Sequence, residues 1–322
     1  MTTNLPFRAE QVGSFLRPNE VLEAHAAHAQ GKLSLEDLRA IEDKAILDVI
    51  KLQQEAGVDI ISDGEFRRSG WSSDFQEAVD GYVKGAPPIS LQWHGGGEVP
   101  ADRAQVQGPN AGGPSIIGAK LKQVRRITGH ESGFLKAHAG GKPYKVTMPA
   151  ASYMVTRGYV PGVTDKAYAD RKAVLADVAA IINQEIKDLI AEGVPYIQLD
   201  NPHYPDYVDP DRQAKWAEMG VDPAAALAAD IEADNACLVG IDRSNVTMAM
   251  HLCRGNGARG QWHTRGGYDA IAERVFGEIN VDTFLLEYDS DRAGGFEPLR
   301  FVPKNKNVVL GLITTKAGEL ES

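Results

Sequence analysis

The chain has 322 residues, 43% of them hydrophobic and 24% charged, with a formal net charge of −10 at pH 7. That length supports a core of ordinary size and reaches the span of a single α/β barrel, while an acidic balance without a basic stripe excludes nucleic acid as the main partner. Only two cysteines occur, Cys237 and Cys253, so there is no disulfide framework; with no secretory leader and no apolar run near the ~20 residues of a membrane span, the expectation is a cytoplasmic protein without a membrane partner.

Phe7 to Ser14 reads as a first strand ending in Val12-Gly-Ser-Phe-Leu-Arg-Pro18, where Gly13 permits a tight turn. Ser14 and Arg17 are placed to face a ligand carboxylate, or else form an ordinary strand-to-loop turn. Ser34 opens a capping box with Asp37, and Leu38, Ile41, Ala45, Val49 and Leu52 recur at helical spacing up to Gly57. Val58 to Ser62 is a buried second strand. It empties into Asp63-Gly-Glu-Phe-Arg-Arg-Ser-Gly-Trp71, whose charges directly after an apolar strand end mark a site loop. Residues 72–143 are broken by glycine and proline and read as an insertion, a hairpin or small sheet, with short strands expected near Ile89-Ser-Leu-Gln-Trp93 and from Ile116. No role is assigned to His94, His130 or His138.

Tyr144 to Pro149 is the third core strand. A long helix covers Tyr168 to Gly193, and Pro195 to Leu199 is the fourth strand, delivering Asp200-Asn-Pro-His-Tyr204. Asp200 suits an amine or metal partner; its alternative is an Asx-turn. Helices follow over Pro223 to Val239 and Tyr268 to Phe276, with a short one near Phe296 to Phe301. Strands five, six and seven are Val246 to Met250, Asp282 to Glu287 and Asn307 to Ile313. After strand five come His251 and Cys253, which share a strand face. Alone, that pair fits a metal site and a buried structural Cys beside a hydrogen-bonded His equally well.

Strand, polar loop and helix alternate throughout, which implies parallel strands with helical crossovers. The fold class expected is α/β, a (β/α)8 TIM barrel forming one domain over residues 1–322. Its chemistry then lies at the carboxyl ends of the strands, where Ser14, Glu65, Asp200, His251, Cys253 and Glu287 all fall. Seven core strands are legible and the eighth is missing from this chain. A barrel so truncated leaves two unpaired edges, so the natural polypeptide is expected to continue past Ser322 or to be closed by something else. His251, Cys253 and Glu287, on neighbouring strands, form an N/S/O set suited to Zn2+.

These residues resemble the cobalamin-independent methionine synthase family, in its catalytic C-terminal barrel and single-barrel branch. The motifs that carry the resemblance are Val12-Gly-Ser-Phe15, Asp63-Gly-Glu65, Gln198-Leu-Asp-Asn-Pro202, Met250-His-Leu-Cys253 and Glu287, in that order along nearly the whole chain. The resemblance implies a zinc-dependent methyltransferase acting on the thiol of homocysteine to give methionine. Methyltetrahydrofolate or another methyl carrier would be the donor, and a homo-oligomer is compatible with it. By the same resemblance Val12, Ser14, Glu65 and Asp200 bind the substrate, Asp200 is also catalytic, and His251, Cys253 and Glu287 hold the zinc.

The chain departs from that pattern at several positions. No Cys follows Cys253, so the family's fourth zinc ligand is missing. Thr314-Thr-Lys316 stands where the family has a His, and Asn201 where it has a Glu. Val146-Thr-Met-Pro-Ala-Ala-Ser-Tyr153 lacks the tryptophan that stacks on folate. Related readings therefore stay open: another thiol such as coenzyme M, with Arg17, Arg67 or Arg68 on its sulfonate, or a barrel that binds thiol or zinc without turnover.

Overall fold

In the computed structural model, which describes residues 9–86, 92–96, 116–257 and 260–317, five strands run parallel in chain order. They are β3 (Lys145–Pro149), β4 (Tyr196–Asp200), β5 (Thr247–Leu252), β6 (Thr283–Glu287) and β7 (Asn307–Gly311). Two earlier strands, β1 (Val79–Val83) and β2 (Ile116–Gln123), form a separate antiparallel pair. Strands buried on both faces need crossovers that cover them. These are supplied by α5 (Ala151–Gly158) and α6 (Arg171–Glu192) after β3, α7 (Pro210–Glu218) and α8 (Pro223–Ala236) after β4, and α9 (Asp269–Glu278) after β5; ahead of β3 come α1 (Asn19–Ala29), α2 (Leu35–Glu55), α3 (Ser73–Ala78) and α4 (Gly129–His138).

The helix ends follow from their caps. Ser34 accepts from the Asp37 amide at 3.0 Å and starts α2. Asp170 caps α6, and Gly193, in the left-handed region, ends it, as glycine does without steric cost. Both helices fall within the segments expected from sequence. The strand expected around Ile89–Trp93 lies largely outside the described residues.

The first two expected strands are not regular ladders. Each is reduced to one parallel bridge, Ser14 with Gly64 and Ile61 with Tyr144. The hydrogen bonds around them, Phe15 N to Gly64 O at 3.1 Å, Ile61 N to Pro143 O at 2.9 Å and Lys145 N to Ile61 O at 2.9 Å, continue the parallel order outward from β3. Side chains replace the rest of the ladder: Gln11 Nε2 donates to Ile60 O, and Ser62 Oγ donates to Gly13 O. On the far side, β7 is only partly buried, and among the described residues nothing pairs with its outer edge. The architecture is thus an α/β fold on a parallel five-stranded sheet; the complete eight-stranded closure expected from sequence is not formed by the described residues. No described helix is long and apolar enough to cross a membrane.

Strand register separates two faces. Ile197, Leu199, Met248, Met250, Phe284 and Leu286 join the large cluster against the helices. Tyr196, Ala249 and Leu285 join Ile60 in a small cluster on the other face, with Val309 packed on it. Alternation puts Lys145, Thr147, Gln198, Asp200, His251 and Glu287 on that second, inner face. All but His251 are buried, and His251 is partly so, so the inner face is polar by design of the sequence rather than by exposure.

Candidate active site

At the carboxyl ends of the strands, two loops and three strands bring the expected residues to one rim. Glu65 is held most tightly. It is the only described non-glycine residue with positive φ, at 59°, a conformation that costs free energy and persists only where its surroundings enforce it. Here the enforcement is visible. Thr147 Oγ1 donates to Glu65 Oε1 at 2.7 Å, Ser14 Oγ donates to Oε2, Arg17 Nη2 donates to the Glu65 carbonyl at 2.8 Å, and the Glu65 amide donates to Asp63 Oδ1 at 2.9 Å. Gly13 is required beside it: its φ is 124°, and a Cβ there would stand 2.7 Å from Thr147 Cγ2 and 3.3 Å from Glu65 Oε1.

Asp200 ends β4, directly opposite His251 of β5. Its Oδ1 accepts from Gln198 Nε2 at 2.6 Å, and the same amide group donates to the Val12 carbonyl at 2.7 Å. Burial pushes the Asp200 carboxyl up to about 7; His251 works against the shift and Glu65 adds to it. Two hydrogen-bonded sets result: Ser14 and Thr147 hold Glu65, and Gln198 holds Asp200 and the Val12 carbonyl. Neither Thr147 nor Gln198 was assigned a role from sequence, although polar side chains at alternate positions of otherwise apolar strands were the signal.

His251 and Cys253 follow on the same face. His251 Nδ1 lies 3.2 Å from the Leu285 carbonyl. A carbonyl only accepts, so Nδ1 carries the proton and Nε2 is left with a free lone pair, the tautomer a metal requires. Burial lowers the His251 pKa and keeps the ring neutral. Burial pushes the Cys253 thiol up to about 12, with Glu287 adding to the shift, so this environment favours a thiolate only if a cation is added. Glu287 is turned to other partners: Oε2 accepts from the Arg254 amide and Oε1 from Arg292. The donor types fit zinc. The structure does not bring all three within 4.8 Å of one another; among the described residues the trio that meets that spacing is Asp74, His130 and Glu131.

That trio is built as an ion-pair network. Arg68 donates from Nε and Nη2 to the two Glu131 oxygens, each at 2.6 Å, and its Nε lies 3.1 Å from Asp74 Oδ2. Burial opposes the charge on Glu131, but Arg68 outweighs it and holds the pKa low; burial drives that of Asp74 well up. A guanidinium that stays protonated already pairs with both carboxylates of the trio. A cation would have to expel it.

The model of the cobalamin-independent synthase catalytic domain matches residues 7–89. The uncharacterized protein YxjH of Bacillus subtilis is 36% identical over 320 residues, 98% of this chain and 80% of that protein. The chain belongs to the cobalamin-independent methionine synthase family. Other relatives in that family include the methionine synthase of Sulfurisphaera tokodaii, 28% identical over 312 residues, covering 97% of this chain and 76% of that one. A solved structure from Listeria monocytogenes, provisionally assigned as a vitamin-B12 independent methionine synthase, superposes with a TM-score of 0.72 at 27% identity, over 98% of this chain and 83% of that one. A B12-independent methionine synthase from Shewanella, solved with selenomethionine, shares the fold at a TM-score of 0.63 and 21% identity, over 90% of this chain and 75% of its own. Membership in a methionine synthase family implies a methyltransferase.

Proposed function

We propose that the protein transfers a methyl group to the thiol of homocysteine, giving methionine, with zinc as cofactor and methyltetrahydrofolate or another methyl carrier as donor. The observation that carries this reading is the pairing of two buried acids, Glu65 and Asp200, on the same rim as the neutral His251 and Cys253. An α-ammonium bound between the two carboxylates satisfies both. Ser14, at the strand end after Gly13, would take the substrate carboxylate. An amino acid so held points its side chain toward His251 and Cys253.

His251 through Nε2 and Cys253 through Sγ would hold the zinc, with Glu287 joining them once released from Arg292. Zinc bound there would supply the positive charge that keeps a substrate thiol deprotonated near neutral pH. The substrate sulfur then forms a bond to the methyl carbon, and the carrier leaves with the bonding pair. Fixing thiol and donor in one buried site removes much of the entropic barrier. Asp200, as the residue nearest both the amine and His251 in register, is proposed as the group that sets substrate orientation during the step.

Two of the three arginines that could take a sulfonate are committed elsewhere, while Arg17 gives Nη2 to the Glu65 carbonyl and leaves its buried Nε without a partner among the described residues. Arg68 is committed to Glu131, and Arg67 pairs with Glu42 and Asp43. The test is methionine formation by zinc-loaded protein from homocysteine and a panel of methyl carriers. Methionine appearing with one carrier supports the proposal; product only with coenzyme M in place of homocysteine would replace it.

A further inference from the structure

Two inner-face positions below Asp200, level with Tyr196 in register, lies Lys145, which is 1% exposed. An ammonium has three donors and no acceptor, and all three are placed. Nζ donates to Glu10 Oε1 at 3.1 Å, to Gln198 Oε1 at 2.8 Å, and to the Gln11 carbonyl. Gln198 is itself wholly buried. Its carbonyl oxygen faces Lys145, so its NH2 group faces the Val12 carbonyl and Asp200 Oδ1, at 2.7 and 2.6 Å.

The orientation of a carboxamide is often a matter of assignment. Here one orientation works. Turning the amide over would set NH2 against an ammonium and the oxygen against both the Val12 carbonyl and the Asp200 carboxylate. Lys145, together with the Val12 carbonyl and the Asp200 carboxylate, therefore fixes which way Gln198 points. Gln198 in turn fixes one oxygen of Asp200 from below and ties the Val12–Ser14 turn to β4. Burial lowers the Lys145 pKa, while Glu10 first and then Asp200 and Glu65 favour its charged form.

We propose that Lys145 is a positioning residue that, by orienting Gln198, holds Asp200 in the arrangement that selects a thiol bearing an α-ammonium group. The inference rests on the amino-thiol reading above and deepens it. It distinguishes Lys145 from a cation that merely stabilises the barrel interior, because a positioning role is specific to the amine end of the ligand.

The test is calorimetric titration of zinc-loaded protein with L-homocysteine and with 4-mercaptobutanoate, which keeps thiol and carboxylate but lacks the amine. For Lys145→Met, homocysteine binding is expected to weaken about tenfold or more, the scale of a lost charge-assisted hydrogen bond, with 4-mercaptobutanoate changed less than about twofold. Gln198→Glu keeps a partner for Lys145 but cannot donate to Asp200 or Val12, and should show the same selective loss even where Lys145→Met does not fold. Equal weakening for both thiols, or no weakening, in the folded variants would overturn the positioning role alone. Unmutated protein that binds the two thiols equally, or neither, would overturn the amino-thiol reading and this inference with it.

Discussion

Asp200 and His251 stand opposite each other in register on β4 and β5, both on the inner face of the sheet. Burial pushes the Asp200 carboxyl up to about 7 and the His251 pKa down. The proposed substrate ammonium needs the charged carboxylate, which is present above that value and lost below it. Homocysteine affinity should therefore show, on top of the rise expected from loss of the thiol proton, an extra rise that ends above about pH 7 as Asp200 completes its ionisation. Asp200→Asn should flatten that extra rise and weaken binding by about tenfold or more, as expected for a lost hydrogen bond to a charged group. Titration calorimetry between pH 6 and pH 8 checks both.

Gly13→Ala places a methyl group 2.7 Å from Thr147 Cγ2 at a φ of 124°. Thr147 cannot turn freely, because its hydroxyl holds Glu65 and accepts from Arg68. The substitution is expected to cost about 1–3 kcal/mol of stability and to weaken homocysteine binding by displacing Glu65. Urea unfolding together with a binding titration measures the two effects separately.

Much of this was legible in the chain. The five strands β3 to β7 appear where apolar runs predicted them, and Asp200, His251, Cys253 and Glu287 fall at or just past their carboxyl ends. The first two strands were legible only in position. Gly13 and the side chains of Gln11 and Ser62 take over hydrogen bonds that a regular ladder would make, and alternation of residue type does not encode such substitutions. Lys145 and Gln198 were missed because their meaning depends on register between strands, which only the folded sheet supplies. The commitment of Glu287 to Arg254 and Arg292 depends on loops whose path is not written in hydrophobic spacing.

His203 is buried between Asp206 at 3.0 Å and Asp230 at 3.1 Å. Burial opposes its charge, yet the two carboxylates raise it to about 9. Its folded value lies above the unfolded one near 6.5, so its contribution is fully present below pH 6.5 and is lost as pH rises through about 9. That contribution is roughly 3 kcal/mol from the size of the shift. Urea midpoints should fall between pH 6.5 and pH 9.5, and His203→Gln should be less stable at pH 6.5 and show a smaller fall.

Arg292 donates to Glu287 Oε1, one of the two oxygens through which Glu287 would join the zinc. Removing that competing cation with Arg292→Met should tighten zinc binding severalfold through the lost charge competition. Competition with a metallochromic chelator reads this directly; weaker binding would instead make Arg292 a residue that orients Glu287 for the metal.

The central claim is that this site activates the thiol of an amino acid with a metal held by His251 and Cys253. Calorimetric titration of homocysteine into zinc-loaded and zinc-stripped protein, in buffers of different ionisation enthalpy, tests it most directly. The account predicts saturable binding with release of about one proton per homocysteine at pH 7.5, seen only with zinc and abolished by Cys253→Ala. Binding of equal strength without zinc, or binding without proton release, would contradict it.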